Sequence, residues 1–302
     1  MKYMRWLSIN ADSLSNKRVA ISGSTGGLGK EICAYLAHLG ADLVLLDRNR
    51  ARSEKHREEL LAIREGISVE LVTVDFEDIK SVKAAADSLV KMEVDIFIHN
   101  AGAYSIPRHK CSTGYDNVYQ INFASPYFLI REILPMLEKK QGRVIVVGSI
   151  AHNYSHIDSR DIDFSGRDAA SKVYGNAKRY LMFSLYELFR REKNVSLAIT
   201  HPGITPTNIT AHYPKLIYAI IKYPMRLIFM SPRKAALSVL LGVYKNTDYH
   251  AWIGPRVFNV WGLPSYKYLH TCTLTESREI YNIAESVYEK CKEVAELSFD
   301  NA

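Results

Sequence analysis

The chain has few cysteines, no long unbroken apolar run and no low-complexity sequence, and each shortage closes off a class of protein. Its four cysteines, Cys33, Cys111, Cys272 and Cys291, lie far apart and make no C-x-x-C or Cys/His ligand spacing. No metal site is expected, and free thiols in a reducing compartment are. The most apolar stretch, Leu216 to Met230, is broken by Lys222, Pro224 and Arg226 and is too short to cross a bilayer. Met1 to Asn10 lacks the apolar core of a signal peptide. These features predict a cytoplasmic protein for which contact with a membrane surface is open but not expected. With no internal repeat and no flexible linker, a single domain over residues 1–302 is expected.

Charge excludes another class. The formal net charge is +7, but many of the basic residues fall in one run, Arg48 to Arg57, with Glu58 and Glu59 directly after it. That pattern reads as a solvated helix face beside a phosphate site, not a nucleic-acid surface.

From Lys17 onward, short β-branched runs alternate with longer amphipathic ones. Strands are predicted at Arg18–Ser22, Asp42–Leu46, Ser68–Val74, Val94–His99, Arg143–Val147 and Val195–Thr200. Helices are predicted at Leu28–Leu39, from Arg48 to about Glu65, at Ile79–Lys91, and near 112–138 and 170–192. A last strand is expected within Trp252–Val260, and a C-terminal helix within 270–302, from Glu276 to Leu297. Alternation over some 180 residues implies an α/β fold: a doubly wound, mostly parallel sheet with helices on both faces. Residues 204–235 are looser, with four prolines among apolar residues. They suit a lid over an apolar substrate, or equally a packing or subunit surface.

Ser22-Gly-Ser-Thr-Gly-Gly-Leu-Gly29 joins the first strand to the first helix. Glycine permits positive φ and removes Cβ atoms that would hold a pyrophosphate away, and the helix N-terminus adds unpaired N–H groups. Gly23, Ser24, Thr25, Gly27, Leu28 and Gly29 are therefore candidate cofactor contacts. The spacing also fits Gly23/Gly26/Gly29, and the turn alone does not choose. Asp47 ends the second strand, where a carboxylate can bind the adenosine ribose and disfavour a 2′-phosphate. This leans the cofactor toward NAD. Arg48 beside it can instead pair with that phosphate. Asp75 and Phe76 are placed to touch the adenine, although Asp75 can equally cap a turn.

Tyr174 and Lys178 are four apart on one predicted helix face. A phenol with its usual pKa of ~10 is a poor proton carrier at neutral pH. An ammonium about 4 Å away, at an effective dielectric near 20, favours the phenolate by ~4 kcal/mol before desolvation opposes it. The spacing itself is common in a chain with 19 tyrosines, so context has to support it. Tyr154 also lies near Ser149, but no lysine follows it at helical spacing. His99, His152, His156 and His201 show no metal-ligand pattern and read as structural or exposed.

Over residues 17–260 the ordered set of Ser22–Gly29, Asn100-Ala-Gly102, Asn122, Ser149, Tyr174-Gly-Asn-Ala-Lys178 and Pro202-Gly203 resembles the short-chain dehydrogenase/reductase family, especially its retinol-dehydrogenase-like members. The resemblance implies a Rossmann-type fold with a cofactor-binding and catalytic core over 17–203. It implies NAD(P)-dependent interconversion of an alcohol and a carbonyl, on a lipophilic small molecule. Tyr174 would be the general acid/base. Lys178 would lower its pKa and hold the nicotinamide ribose. Ser149 would bind the substrate oxygen, and Asn122 would hold a relay water. Asn100, Ala101 and Gly102 would run beside the cofactor, and Pro202, Gly203, Ile204 and Thr207 would line the nicotinamide side. Homodimers or homotetramers through the helices near 112–138 and 170–192 are expected on the same ground. His99 and Ala177 stand where the family often has asparagine and serine. A non-catalytic dinucleotide sensor or scaffold and a sugar-nucleotide epimerase or dehydratase are the alternatives.

Overall fold

The computed structural model describes residues 2–191, 194–204 and 229–297. Its strands are β1 (Arg18–Ser22), β2 (Asp42–Asp47), β3 (Val69–Thr73), β4 (Ile96–His99), β5 (Arg143–Val147), β6 (Ser196–Thr200), β7 (Ala251–Val257) and β8 (Trp261–Tyr268). They form one sheet in the order β3-β2-β1-β4-β5-β6-β7-β8, parallel through β7 and antiparallel at β8. The helices are α1 (Lys2–Asn10), α2 (Gly27–Leu39), α3 (Arg50–Leu61), α4 (Ile79–Met92), α5 (Asn117–Tyr119), α6 (Ser125–Lys139), α7 (Ala170–Arg191), α8 (Pro232–Tyr244) and α9 (Leu274–Glu296).

Both sheet faces are covered, which is why the strands read as unbroken apolar runs. Along β1, Ala20 packs into one layer with β2 residues Val44 and Leu46 and with residues of α4, α6, α7 and α9. Val19 and Ile21 point the other way, into a layer with residues of α1, α2 and α8. Each fully buried Val, Leu or Ile contributes roughly 1.5–3 kcal/mol, so a one-residue slip of β1 would exchange the two layers' contents.

Local chemistry sets the helix ends. Gly40 closes α2 at φ 89°, a left-handed conformation open to glycine. Asn49 caps α3 by accepting from Arg52 N at 3.0 Å, and Asp78 caps α4 by accepting from Lys80 N at 3.0 Å. α3 stops at Leu61, four residues before the expected end, and the chain turns at Gly66 (φ 84°). The expected helix near 112–138 is three pieces: α5, a π-helical turn over Gln120–Ala124, and α6. Pro126 supplies a physical reason, because it has no N–H to give the carbonyl four residues back.

The sequence reading assigned no element to α1 or β8. β8 contains Gly262, Pro264 and Ser265, which are poor strand formers. Its register against β7 holds it, with Pro255 opposite Pro264. α9 docks on α6 and α7. Tyr127 Oη donates to Glu285 at 2.5 Å, Arg131 pairs with the same carboxylate, and Tyr288 Oη donates to Glu132 at 2.8 Å. Most of the expected lid lies outside the described residues. Among the described residues, no helix is long and apolar enough to cross a membrane.

If Glu285 is the acceptor shared by α9's two partners on α6, Glu285→Ala will lower unfolding free energy by about 1–3 kcal/mol. Urea denaturation checks this, and an unchanged midpoint would remove Glu285 from the docking of α9.

Candidate active site

The carboxyl ends of the parallel strands open into a cleft of about 790 Å³, within the usual range for a small-molecule site. Its floor is the turn between β1 and α2. Gly23 has φ 69°, and a Cβ there would fall 2.9 Å from Ala101 Cα. A Cβ on Gly29 would fall 2.1 Å from Gly23 O. Asn100 ties the two strand ends together, donating from Nδ2 to Gly23 O at 2.9 Å and Ser22 O at 3.2 Å. Ser22 Oγ accepts from the backbone N–H groups of Asn100 and Ala101, both at 3.1 Å. Its own hydrogen then goes to His99 Nδ1 at 3.0 Å. Gly26 precedes α2 and offers no side-chain cap, so the helix's N-terminal N–H groups remain for an anion. These glycines, the uncapped helix and the cleft's size fit a nicotinamide dinucleotide.

Asp47 lines the adenosine end, but its carboxylate is buried and used by the protein itself. Ser24 Oγ donates to it, as do Thr25 N at 3.2 Å, Thr25 Oγ1 at 3.1 Å and Ser53 Oγ at 3.2 Å. Ser24 therefore lies beneath the floor, holding Asp47, and is absent from the cleft wall. Arg48 is 71% exposed and lies 3.9 Å from Asp75. Asp75 caps its turn, accepting from Glu77 N at 3.0 Å. Phe76 lines the cleft and meets His99 edge-on at 5.5 Å.

At the other end, Ser149, Tyr174 and Lys178 converge. Ser149 follows β5 and caps the 3-10 turn Ile150–Tyr154, its Oγ accepting from Ala151 N at 3.2 Å. α7 carries Tyr174 and Lys178 and presses on that turn so closely that a Cβ on Gly175 would fall 2.2 Å from Ala151 O. Lys178 Nζ lies 5.7 Å from the Tyr174 ring centre and donates to Val147 O at 3.1 Å. Asn122 is behind the wall. It accepts from Ala103 N at 3.1 Å and donates to Ala103 O and Val118 O, each at 2.8 Å. A Cβ on Gly102 would fall 2.8 Å from Asn122 Oδ1. Asn122 thus staples the 102–103 segment to the π turn. Ala101, Gly102, Pro202, Gly203 and Ile204 line the cleft, and Thr207 lies outside the described residues.

A sequence model described as short chain dehydrogenase matches residues 17–215. The chain belongs to this family. It is 30% identical over 214 residues to retinol dehydrogenase 14 of Mus musculus, a match covering 66% of this chain and 64% of that protein. A crystal structure of an uncharacterized protein from Mycobacterium Paratuberculosis superposes with a TM-score of 0.69, at 20% identity over 96% of this chain and 97% of the other. An alcohol dehydrogenase from the archaeon Thermococcus sibiricus, complexed with 5-hydroxy-NADP, superposes at 0.59, with 20% identity over 82% and 94%.

Against the family motifs, the cleft adds residues that spacing did not flag. Tyr104 meets the Tyr174 ring edge-on at 5.4 Å. Tyr154, set aside for want of a following lysine, lines the cleft and is 56% exposed. Arg52 joins Arg48 at the adenosine end. The basic run was the available signal for Arg52, and position directly after Asn100-Ala-Gly102 was the signal for Tyr104.

Burial pushes the Tyr174 phenol up to about 12, against a lowering hydrogen bond from Ser149. Burial also pulls Lys178 down to about 8. The largest influence on the phenol is desolvation, which disfavours the phenolate. At pH 7 Tyr174 is a phenol and Lys178 is mostly an ammonium.

A fall from 10.5 to about 8 means the buried charge costs about 3 kcal/mol of stability at low pH, a cost that fades as pH rises from 8 to 10.5. Lys178→Met is therefore expected to melt at least ~2 °C above the parent at pH 7, with the gap shrinking by pH 10. Thermal melts across pH check this, and a gap that widens with pH would contradict the assigned burial.

Proposed function

We propose that the chain is an NAD(P)-dependent oxidoreductase interconverting an alcohol and a carbonyl, with Tyr174 as general acid/base. The convergence of Ser149, Tyr174 and Lys178 at one end of a cleft floored by glycine carries this reading. A bound nicotinamide dinucleotide would supply or accept the hydride. In the reducing direction the Ser149 hydroxyl donates to the carbonyl oxygen and steadies its developing charge. Tyr174 gives its phenolic proton to that oxygen, and in oxidation the proton returns. Lys178, charged at neutral pH, steadies the phenolate left on Tyr174. The buried ammonium of Lys178 argues against a non-catalytic scaffold, which would bear its cost without using it.

Ile150, Tyr104, Tyr154 and Ile204 give the substrate end of the cleft an apolar, aromatic wall, which favours lipophilic or ring-bearing substrates. The mouse relative's name, a retinol dehydrogenase, is in keeping with that class. On the cofactor, the sequence leaned to NAD through Asp47. The geometry favours NADP, because four protein donors already use that carboxylate while Arg48 and Arg52 flank the same end of the cleft.

Initial rates on a panel of aliphatic and aromatic aldehydes test both parts. Tyr174→Phe is expected to lower kcat at least ~100-fold with cofactor affinity kept, and undiminished turnover would end the mechanism. NADPH is expected to exceed NADH about tenfold or more in kcat/KM, and Arg48→Ala to erase most of that margin. A parent enzyme that prefers NADH would reverse the cofactor assignment.

A further inference from the structure

Against the backbone of Ser149 lies a buried side chain that the proposed chemistry does not use. His152 is fully buried. Its Nδ1 lies 2.6 Å from Ser149 O, and its Nε2 lies 2.8 Å from Thr271 Oγ1. A carbonyl oxygen only accepts, so Nδ1 carries the hydrogen. In the neutral ring Nε2 then accepts from the Thr271 hydroxyl, and every polar atom of the ring is satisfied. Burial holds the ring neutral, with its pKa lowered to about 4.

The ring is also wedged by packing. It meets Trp252 edge-on at 5.5 Å and Phe183 at 5.8 Å, and Trp252 stacks on His201 at 4.7 Å on its way to the cleft wall. Arg179, the neighbour of Lys178, closes the circuit. It donates to His152 O at 3.3 Å, to Thr271 O at 2.6 Å, and to Glu276 Oε1 at 2.6 Å through Nη2 and 2.9 Å through Nε. Thr273 caps α9, accepting from Glu276 N at 3.2 Å. The first turn of α9 is thereby linked through Arg179, Thr271 and His152 to the backbone of Ser149.

We propose that His152 is a positioning residue that transmits the docking of α9 to Ser149, fixing the serine's backbone so that its hydroxyl faces Tyr174 and the substrate oxygen. Ser149 leaves β5 in extended conformation (φ −147°, ψ 144°), and its carbonyl also accepts from His152 N at 3.2 Å. Beside the Arg179 bridge, the imidazole is thus the side-chain link that reaches the Ser149 carbonyl itself. The proposal rests on the oxidoreductase reading for its kinetic consequence, whereas its structural consequence can be read without turnover.

Three variants test it. Thr271→Val keeps the shape and removes the hydroxyl that orients the ring. His152→Leu removes both hydrogen bonds. His152→Asn keeps a short donor for Ser149 O. The expected result is a kcat lowered about three- to tenfold in Thr271→Val and tenfold or more in His152→Leu, with NADPH affinity within twofold of the parent and much of the loss restored in His152→Asn. Amide hydrogen exchange over residues 149–155 is expected to speed up in the first two variants while α2 and β1 stay protected. Unchanged exchange over 149–155 in Thr271→Val and His152→Leu would overturn the proposal whatever the rates. Equal losses of kcat and cofactor affinity would overturn it too, by making His152 a general packing residue. A parent protein with no turnover on any carbonyl would sink the oxidoreductase reading alone, because the exchange experiment still decides the positioning role.

Discussion

At the carboxyl ends of β1 and β4 two backbones come together with no room for a side chain between them. A Cβ on Gly23 would sit 2.9 Å from Ala101 Cα, and Asn100 and Ser22 stitch the junction with hydrogen bonds of 2.9–3.2 Å. This is where the strand order reverses, β1 leading outward to β2 and β3 on one side and β4 leading on to β5 and β6 on the other. The chains departing from the junction must diverge, and the crevice they leave becomes the cleft. Widen that contact and Gly102, Asn122 and the π turn behind them lose their reference point. The close approach is therefore a constraint on the whole upper edge of the sheet as well as a cofactor feature.

Much of the site was legible because its residues are tied to the ends of strongly patterned elements. Gly23, Asn100, Ser149 and Pro202 each follow a strand whose buried apolar run is plain, so their common edge follows from parallel topology. Tyr174 and Lys178 share a helix face by spacing alone. What stayed hidden depends on contacts between distant segments. Nothing in the sequence near Asp47 says that Ser24, Thr25 and Ser53 will take up its carboxylate. Nothing near His152 says that Thr271 will reach its ring. β8 escaped for a related reason, since its strand character comes from β7 and not from its own glycine and proline.

The two ends of the cleft handle buried charge in opposite ways. Asp47 is surrounded by hydroxyl and amide donors, so burial costs it little. Lys178 has a single carbonyl for its three hydrogens among the contacts described, and its pKa falls to about 8. A group this poorly compensated is costly in a purely structural setting, which is why under-satisfied buried cations mark sites of chemistry more often than elements of architecture.

The position of α9 also bears on the order in which the protein can complete itself. The helix lies over α4, α6 and α7, and its residues enter the same apolar cluster as β1, β2 and β5. Those strands and helices are synthesised first, and at about 5–20 residues per second the ribosome needs several more seconds to deliver residues 274–296. Throughout that interval the nascent sheet has a complete inner layer and a bare greasy flank. That flank gains its cover from this chain when α9 arrives.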